Sequence, residues 1–77
     1  MPRGLYNWAA EDVIRFLKKY KFNLNYTRGS HYYYIGNYAG KFRQVCIPFH
    51  GSIALKPRTL KGIILQSGIP KEEWLKQ

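Results

Sequence analysis

Apolar residues recur at a spacing of three and four positions through WAAEDVIRFLKKY (8–20), and the spacing then drops to two. Val13, Phe16, Leu17 and Tyr20 fall on one stripe of a 3.6-residue period, which predicts an amphipathic helix over 8–20. Asn7 is the expected N-cap, because its side-chain oxygen can take a free backbone N–H. Glu11 and Asp12 near the start and Lys18 and Lys19 near the end suit the helix dipole. In FNLNYT, Phe22, Leu24 and Tyr26 alternate with polar residues, the pattern of a half-buried strand. Arg28-Gly29-Ser30 supplies a tight turn, and HYYYI (31–35) reads as a second strand. That strand has His31, Tyr33 and Ile35 on one face and Tyr32 and Tyr34 on the other. Gly36 to Gly40 reads as a hairpin loop, longer than a minimal turn, and FRQVCI (42–47) as a third strand stopped by Pro48.

Residues 49–56 read as a loop anchored by Ile53 and Leu55. Pro57 can open a second helix at a position where a missing N–H costs nothing, and Leu60, Ile63 and Ile64 form its buried stripe. Gly68 fits the C-terminal cap. Pro70 opens a short final turn whose Trp74 and Leu75 pack back on the rest. A three-strand meander with one apolar face needs a cover, and the helices provide it. The expected class is therefore α+β, in the order helix, three antiparallel strands, helix, short helix. The helices pack on one sheet face, and the other face stays free for a ligand. The length of 77 residues suits one domain, 1–77, with no repeat or linker.

Charge changes the picture most. Lys and Arg number 13 against 4 Asp and Glu, a formal net charge of +9. The four acids are Glu11, Asp12, Glu72 and Glu73, so no acid lies between Val13 and Lys71, a span that holds eleven basic residues. Such a field attracts polyanions, of which phosphate backbones are the commonest; an acidic protein could use the same surface. The missing carboxylates argue against a two-metal nuclease, a glycosidase pair and a Ser-His-Asp triad. No apolar run approaches a membrane span and no secretory leader is read at the start, so no membrane partner is expected. With a single cysteine, Cys46, these features point to a reducing, cytoplasmic setting.

Two histidines remain for chemistry. His31 follows a glycine turn, and histidine exchanges protons near neutral pH. RNA carries its own nucleophile, the 2′-OH, so one base and nearby cations suffice to cleave it without a metal. A hydrogen-bonded sheet histidine is the plainer alternative. His50, in the loop after Pro48, could bind phosphate or anchor the loop. His31, Cys46 and His50 have no recognised ligand spacing, so neither a metal nor another cofactor is expected. Lys56, Arg58 and Lys61 surround the expected start of the second helix, where backbone N–H groups favour an anion. Arg28, Lys41 and Arg43 border the sheet as similar candidates, with Gly29 and Ser30 shaping the turn. One face of the tyrosine run could stack an unpaired base, or the rings could simply pack the sheet.

The segments GSHYYY and IPFHGSIALKPRTLKGIILQSGIPKEEWL resemble the HicA (YcfA-like) toxins of HicAB toxin–antitoxin systems. The resemblance runs from the first helix to Leu75. It implies a double-stranded-RNA-binding-domain-like fold and a metal-independent, ribosome-independent endoribonuclease acting on mRNA, a toxin of the mRNA interferase kind. It also implies that His31 is the catalytic histidine, and that a HicB-like antitoxin covers the active site. A non-catalytic RNA-binding module of the same fold is the alternative. The chain departs from the family pattern at Lys21-Phe22, where Gly-Phe is usual, and at Arg58, where glycine is common before Thr-Leu. Its second strand is unusually rich in tyrosine, and MPRGLYNW precedes the point where many members start.

Overall fold

The computed structural model describes residues 7–76, so the expected 1–77 domain extends past the described residues at both ends. Helix α1 (Ala10–Lys19) is followed by strands β1 (Asn23–Arg28), β2 (His31–Tyr38) and β3 (Lys41–Pro48). Helices α2 (Pro57–Ser67) and α3 (Lys71–Leu75) complete the chain. The strands form one antiparallel sheet in the order β1-β2-β3, and the helices share its core face, giving the expected α+β arrangement.

Helix α1 starts two residues later than the period alone predicts. Its N-cap is Ala9 and not Asn7, whose φ of 61° takes it off the helical path. Alanine has no side-chain acceptor, so the cap is half made. The Asp12 carboxylate accepts the Ala9 N–H at 2.9 Å, and the Asp12 N–H, with no side-chain acceptor on Ala9, donates to the Ala9 carbonyl at 3.0 Å instead. The C-terminus is a complete Schellman motif. Phe22 N–H donates to Leu17 O at 3.1 Å and Lys21 N–H to Lys18 O at 3.0 Å, while Leu17 and Phe22 are both buried. Lys21 occupies the left-handed position of this motif at φ 67°, where a Cβ is costly and glycine is preferred. The Gly-Phe usual at this point therefore has a backbone reason. Lys21→Gly is expected to raise stability by roughly 0.5–1 kcal/mol, read as a higher urea midpoint at unchanged m.

The β1–β2 hairpin turns through Gly29 and Ser30, and only Gly29 has positive φ (59°), as a type II′ turn requires. The second hairpin is tighter than the sequence suggests. Strand β2 continues to Tyr38, and the turn is only Ala39-Gly40, both at positive φ. Pairing supplied by β3 along its full length carries Gly36-Asn37-Tyr38 into the ladder. Gly36 lies over Phe22, whose ring a Cβ at that position would meet at 2.7 Å.

Strand β1 departs from simple alternation. Leu24 pairs with Tyr34, yet Tyr26 pairs with Tyr33, so a bulge at Asn25 shifts the phase. Cross-strand partners share a sheet face. Phe22 and Leu24 therefore belong to the core side, and Tyr26 and Arg28 to the open side. All of β1 is exposed, so it is a weakly buried edge and not the half-buried strand expected.

The core gathers Val13, Phe16, Leu17, Leu60, Ile63 and Ile64, each buried as their periodicity predicts, around Phe22, Tyr34, Val45 and Ile47. The buried Ser67 hydroxyl donates to Ile64 O at 2.7 Å and accepts from Ile69 N–H at 3.1 Å, which turns the chain out of α2. Trp74 stacks on Phe16 with ring centroids 4.0 Å apart and meets Trp8 at 5.4 Å. No helix among the described residues is long and apolar enough to cross a membrane.

Candidate functional site

The register of the ladder sorts the open sheet face into rows running across the strands. Arg28, His31 and Pro48 form the first, Tyr26, Tyr33 and Cys46 the second, and Asn23, Ile35 and Gln44 the third. Asn37 and Phe42 form the fourth. Successive rows lie about 7 Å apart, two residues along a strand. Every member is basic, neutral polar or apolar; the face carries no carboxylate.

His31 opens β2 on this face and is exposed. Its backbone position is fixed from both sides: Arg28 pairs with it across the Gly29-Ser30 turn, and Pro48 pairs with it from β3. Phe49 N–H donates to Ser30 O at 2.7 Å, and the Phe49 ring stacks on Tyr32 at 4.9 Å, so the start of the loop is pinned to the turn. Among the described residues the His31 ring makes no hydrogen bond, unlike the bonded sheet histidine considered as the plainer reading. In the next row Tyr26 and Tyr33 stack nearly parallel, with centroids 4.5 Å apart and planes 12° apart. The Tyr33 phenol is raised above its ordinary 10.0, chiefly by its side-chain hydrogen bond with Cys46. It is therefore neutral at physiological pH.

The remaining expected residues divide by place. His50 lies two residues beyond Pro48, exposed, with its carbonyl accepting Ile53 N–H at 3.3 Å. Gln66 Oε1 accepts the Cys46 N–H at 2.9 Å, and Gly68 lies against Arg43. Helix α2 thus runs antiparallel to β3, and its first turn points toward the His31 end of the sheet. Lys56, at the N-cap, and Arg58 are both exposed on that turn, which has no side-chain cap. Lys61 lies one turn on, beside a hollow between α2 and α3 that Leu65, Ile69 and Lys71 also line. Lys41 pairs with Tyr38 at the opposite end of β2, about 23 Å from His31 along the strand.

Arg43 is not brought to His31 either. It falls on the core side of the sheet, opposite Gly36, with its Nε buried and unbonded and its guanidinium packed where a Cβ on Gly68 would sit. Helix α2 has no basic residue in its last turn, and Arg43 supplies a positive charge at that negative end. Among the described residues no three His, Cys, Asp or Glu side chains are grouped closely enough to hold a metal ion. Residues singled out by the structure but not by their types are Asn23, Asn37 and Phe42. Their common face follows from the register and from the Asn25 bulge, neither of which a linear pattern displays.

The family model for the HicA toxin of bacterial toxin–antitoxin systems matches residues 10–69. The chain belongs to the HicA toxin family. The match takes in α1, the whole sheet and α2, and therefore the His31 turn and the α2 start. This HicA-family chain is accordingly a toxin of a toxin–antitoxin pair, with an antitoxin as partner. No curated protein and no solved structure matches it. Trp8 and Trp74, which touch each other in the core, lie just outside the matched segment on either side.

Proposed function

We propose that this HicA-family toxin is a metal-independent endoribonuclease acting on mRNA, with His31 as its proton-transfer group. The observation that carries this reading is the setting of His31. It is exposed at a glycine turn, unbonded among the described residues, paired with Arg28, and on a sheet face without a carboxylate. Such a histidine can take the proton of a ribose 2′-OH as that oxygen attacks the adjacent phosphorus. The bond from phosphorus to the 5′-oxygen then breaks, and the 5′-oxygen leaves as a hydroxyl with a proton taken from the protonated His31 or from water, which returns the histidine to its neutral form. Arg28, with Lys56 and Arg58 from the α2 turn, supplies positive charge for the phosphorane. Gly29 and Ser30 hold the turn that presents the histidine, and His50 lies close enough in sequence to Pro48 to add a phosphate contact.

We further infer that the antitoxin is HicB-like and inhibits by bringing acidic groups over Arg28, Lys56 or Arg58. Incubation of the purified toxin with a single-stranded RNA tests both statements. Cleavage is expected to survive EDTA, to leave a 2′,3′-cyclic phosphate or its 3′-phosphate product, to fail on RNA with 2′-O-methyl at the scissile nucleotide, and to stop when the antitoxin is added. RNA affinity should fall steeply with salt, with log K against log salt sloping by about −0.7 for each phosphate neutralised. Cleavage of the 2′-O-methyl substrate would overturn the mechanism, and a flat salt slope would remove the phosphate-binding surface.

A further inference from the structure

The proposed cleavage uses only the first row of the open face, and the far rows hold a second feature. Asn23, Ile35, Gly36, Asn37 and Phe42, with Tyr20 and Lys21 at the end of α1, line an open hollow of about 430 Å³. Phe42 is 65% exposed, on the side of the sheet opposite the core, with its ring open to solvent beside these polar neighbours. Asn23 donates from Nδ2 to Lys21 O at 3.4 Å, which leaves its Oδ1 for an outside donor. The Asn37 amide has no hydrogen-bond partner among the described residues, so it offers a donor and an acceptor together. Among the described residues no acid lines the hollow, and Glu73, which accepts from the Tyr20 hydroxyl at 3.1 Å, is paired with Lys76 at 3.3 Å.

An exposed ring for stacking, neighbouring amides for a base edge and a lysine for a phosphate are what recognition of an unpaired nucleobase requires. The hollow is also on the right track. Asn37 and Phe42 stand about 20 Å from His31 along β2, the reach of about three extended nucleotides, and the Tyr26–Tyr33 stack stands between them. We infer that the Phe42 hollow is a base-binding subsite. It holds an unpaired base of the same RNA strand, about three nucleotides from the linkage at His31, and it contributes to the choice of cleavage site. This rests on the ribonuclease reading above.

The test is an abasic scan. A short single-stranded RNA that the wild-type toxin cleaves is made with one base removed at each position in turn. Binding of each is measured with His31→Ala protein and with the His31→Ala, Phe42→Ala double variant. Removing one base, about three positions from the scissile linkage, is expected to weaken binding to the His31→Ala protein about five- to a hundredfold. The same removal should cost nothing once Phe42 is absent. Phe42→Ala touches no core residue, and Asn37→Ala gives an independent reading, with a changed pattern of preferred cleavage sites expected in the His31 background. Equal abasic penalties with and without Phe42, with cleavage by wild type intact, would overturn the subsite and leave the ribonuclease reading standing. Absence of both cleavage by wild type and RNA binding by His31→Ala would overturn the two together.

Discussion

Replacement of His31 by alanine is expected to lower RNA cleavage about 10²–10⁴-fold while leaving the fold and most RNA affinity unchanged. The rate falls because no other titratable group shares the first row of the open face. Its other members are Arg28, which does not deprotonate, and Pro48. The fold survives because the ring is exposed and has no hydrogen bond to lose among the described residues. Affinity survives because binding to a phosphate backbone is spread over many basic side chains, and His31 is one contact among them. The measurement is single-turnover cleavage by variant protein, with its circular dichroism and thermal midpoint matched to wild type. Cleavage by a folded, nuclease-free His31→Ala protein at the wild-type rate would exclude the histidine from the chemistry.

The largest expected effect on stability is at Trp74. Its indole is fully buried, stacks on Phe16, touches Trp8 and donates from Nε1 to Ile69 O at 3.3 Å. Helix α3 has only five residues, too few to persist without docking, and Trp74 is its one buried residue. Trp74→Ala is expected to cost about 3–5 kcal/mol from lost burial and the cavity left beside Phe16. A chain of this length has roughly 4–12 kcal/mol of stability in all, so the variant is expected to be partly unfolded at 37 °C. Trp74→Phe, which keeps a ring on Phe16 and loses only the indole bond and some volume, should recover most of the loss. Urea unfolding of the three proteins gives the comparison, and a loss below about 1 kcal/mol in Trp74→Ala would show that α3 does not hold the core shut.

Several features were legible in the order of residues because they depend on local periodicity. The stripe from Val13 to Tyr20, the run Leu60-Ile63-Ile64 and the glycine turn before His31 each encode their own geometry. The acid-free interval is likewise a property of composition, and the succession of segments around His31 carried the resemblance that the family match over 10–69 bears out. The limits of elements were less legible. The α1 cap moved from Asn7 to Ala9 because Asp12 reaches back to the chain. Strand β2 ran on to Tyr38 because β3 supplied partners that Gly36 and Asn37 do not advertise.

What the sequence by itself determined about this protein is the set of elements, their order, the sign of the surface and the placing of a histidine directly after a glycine turn. Each follows from interactions between residues close in the chain, or from charge, which needs no geometry. The tertiary structure alone decided which face each strand residue joins. The bulge at Asn25 sends Leu24 and Tyr26 to opposite sides despite their even spacing, and pairing with β2 and β3 lines up Asn23, Ile35, Asn37 and Phe42. It also turned Arg43 away from the open face, toward the negative end of α2, and joined Trp8 to Trp74 across the core. The reason is the same in each case: these contacts join residues far apart in the chain, and their energy exists only once strand register and helix docking have been set together.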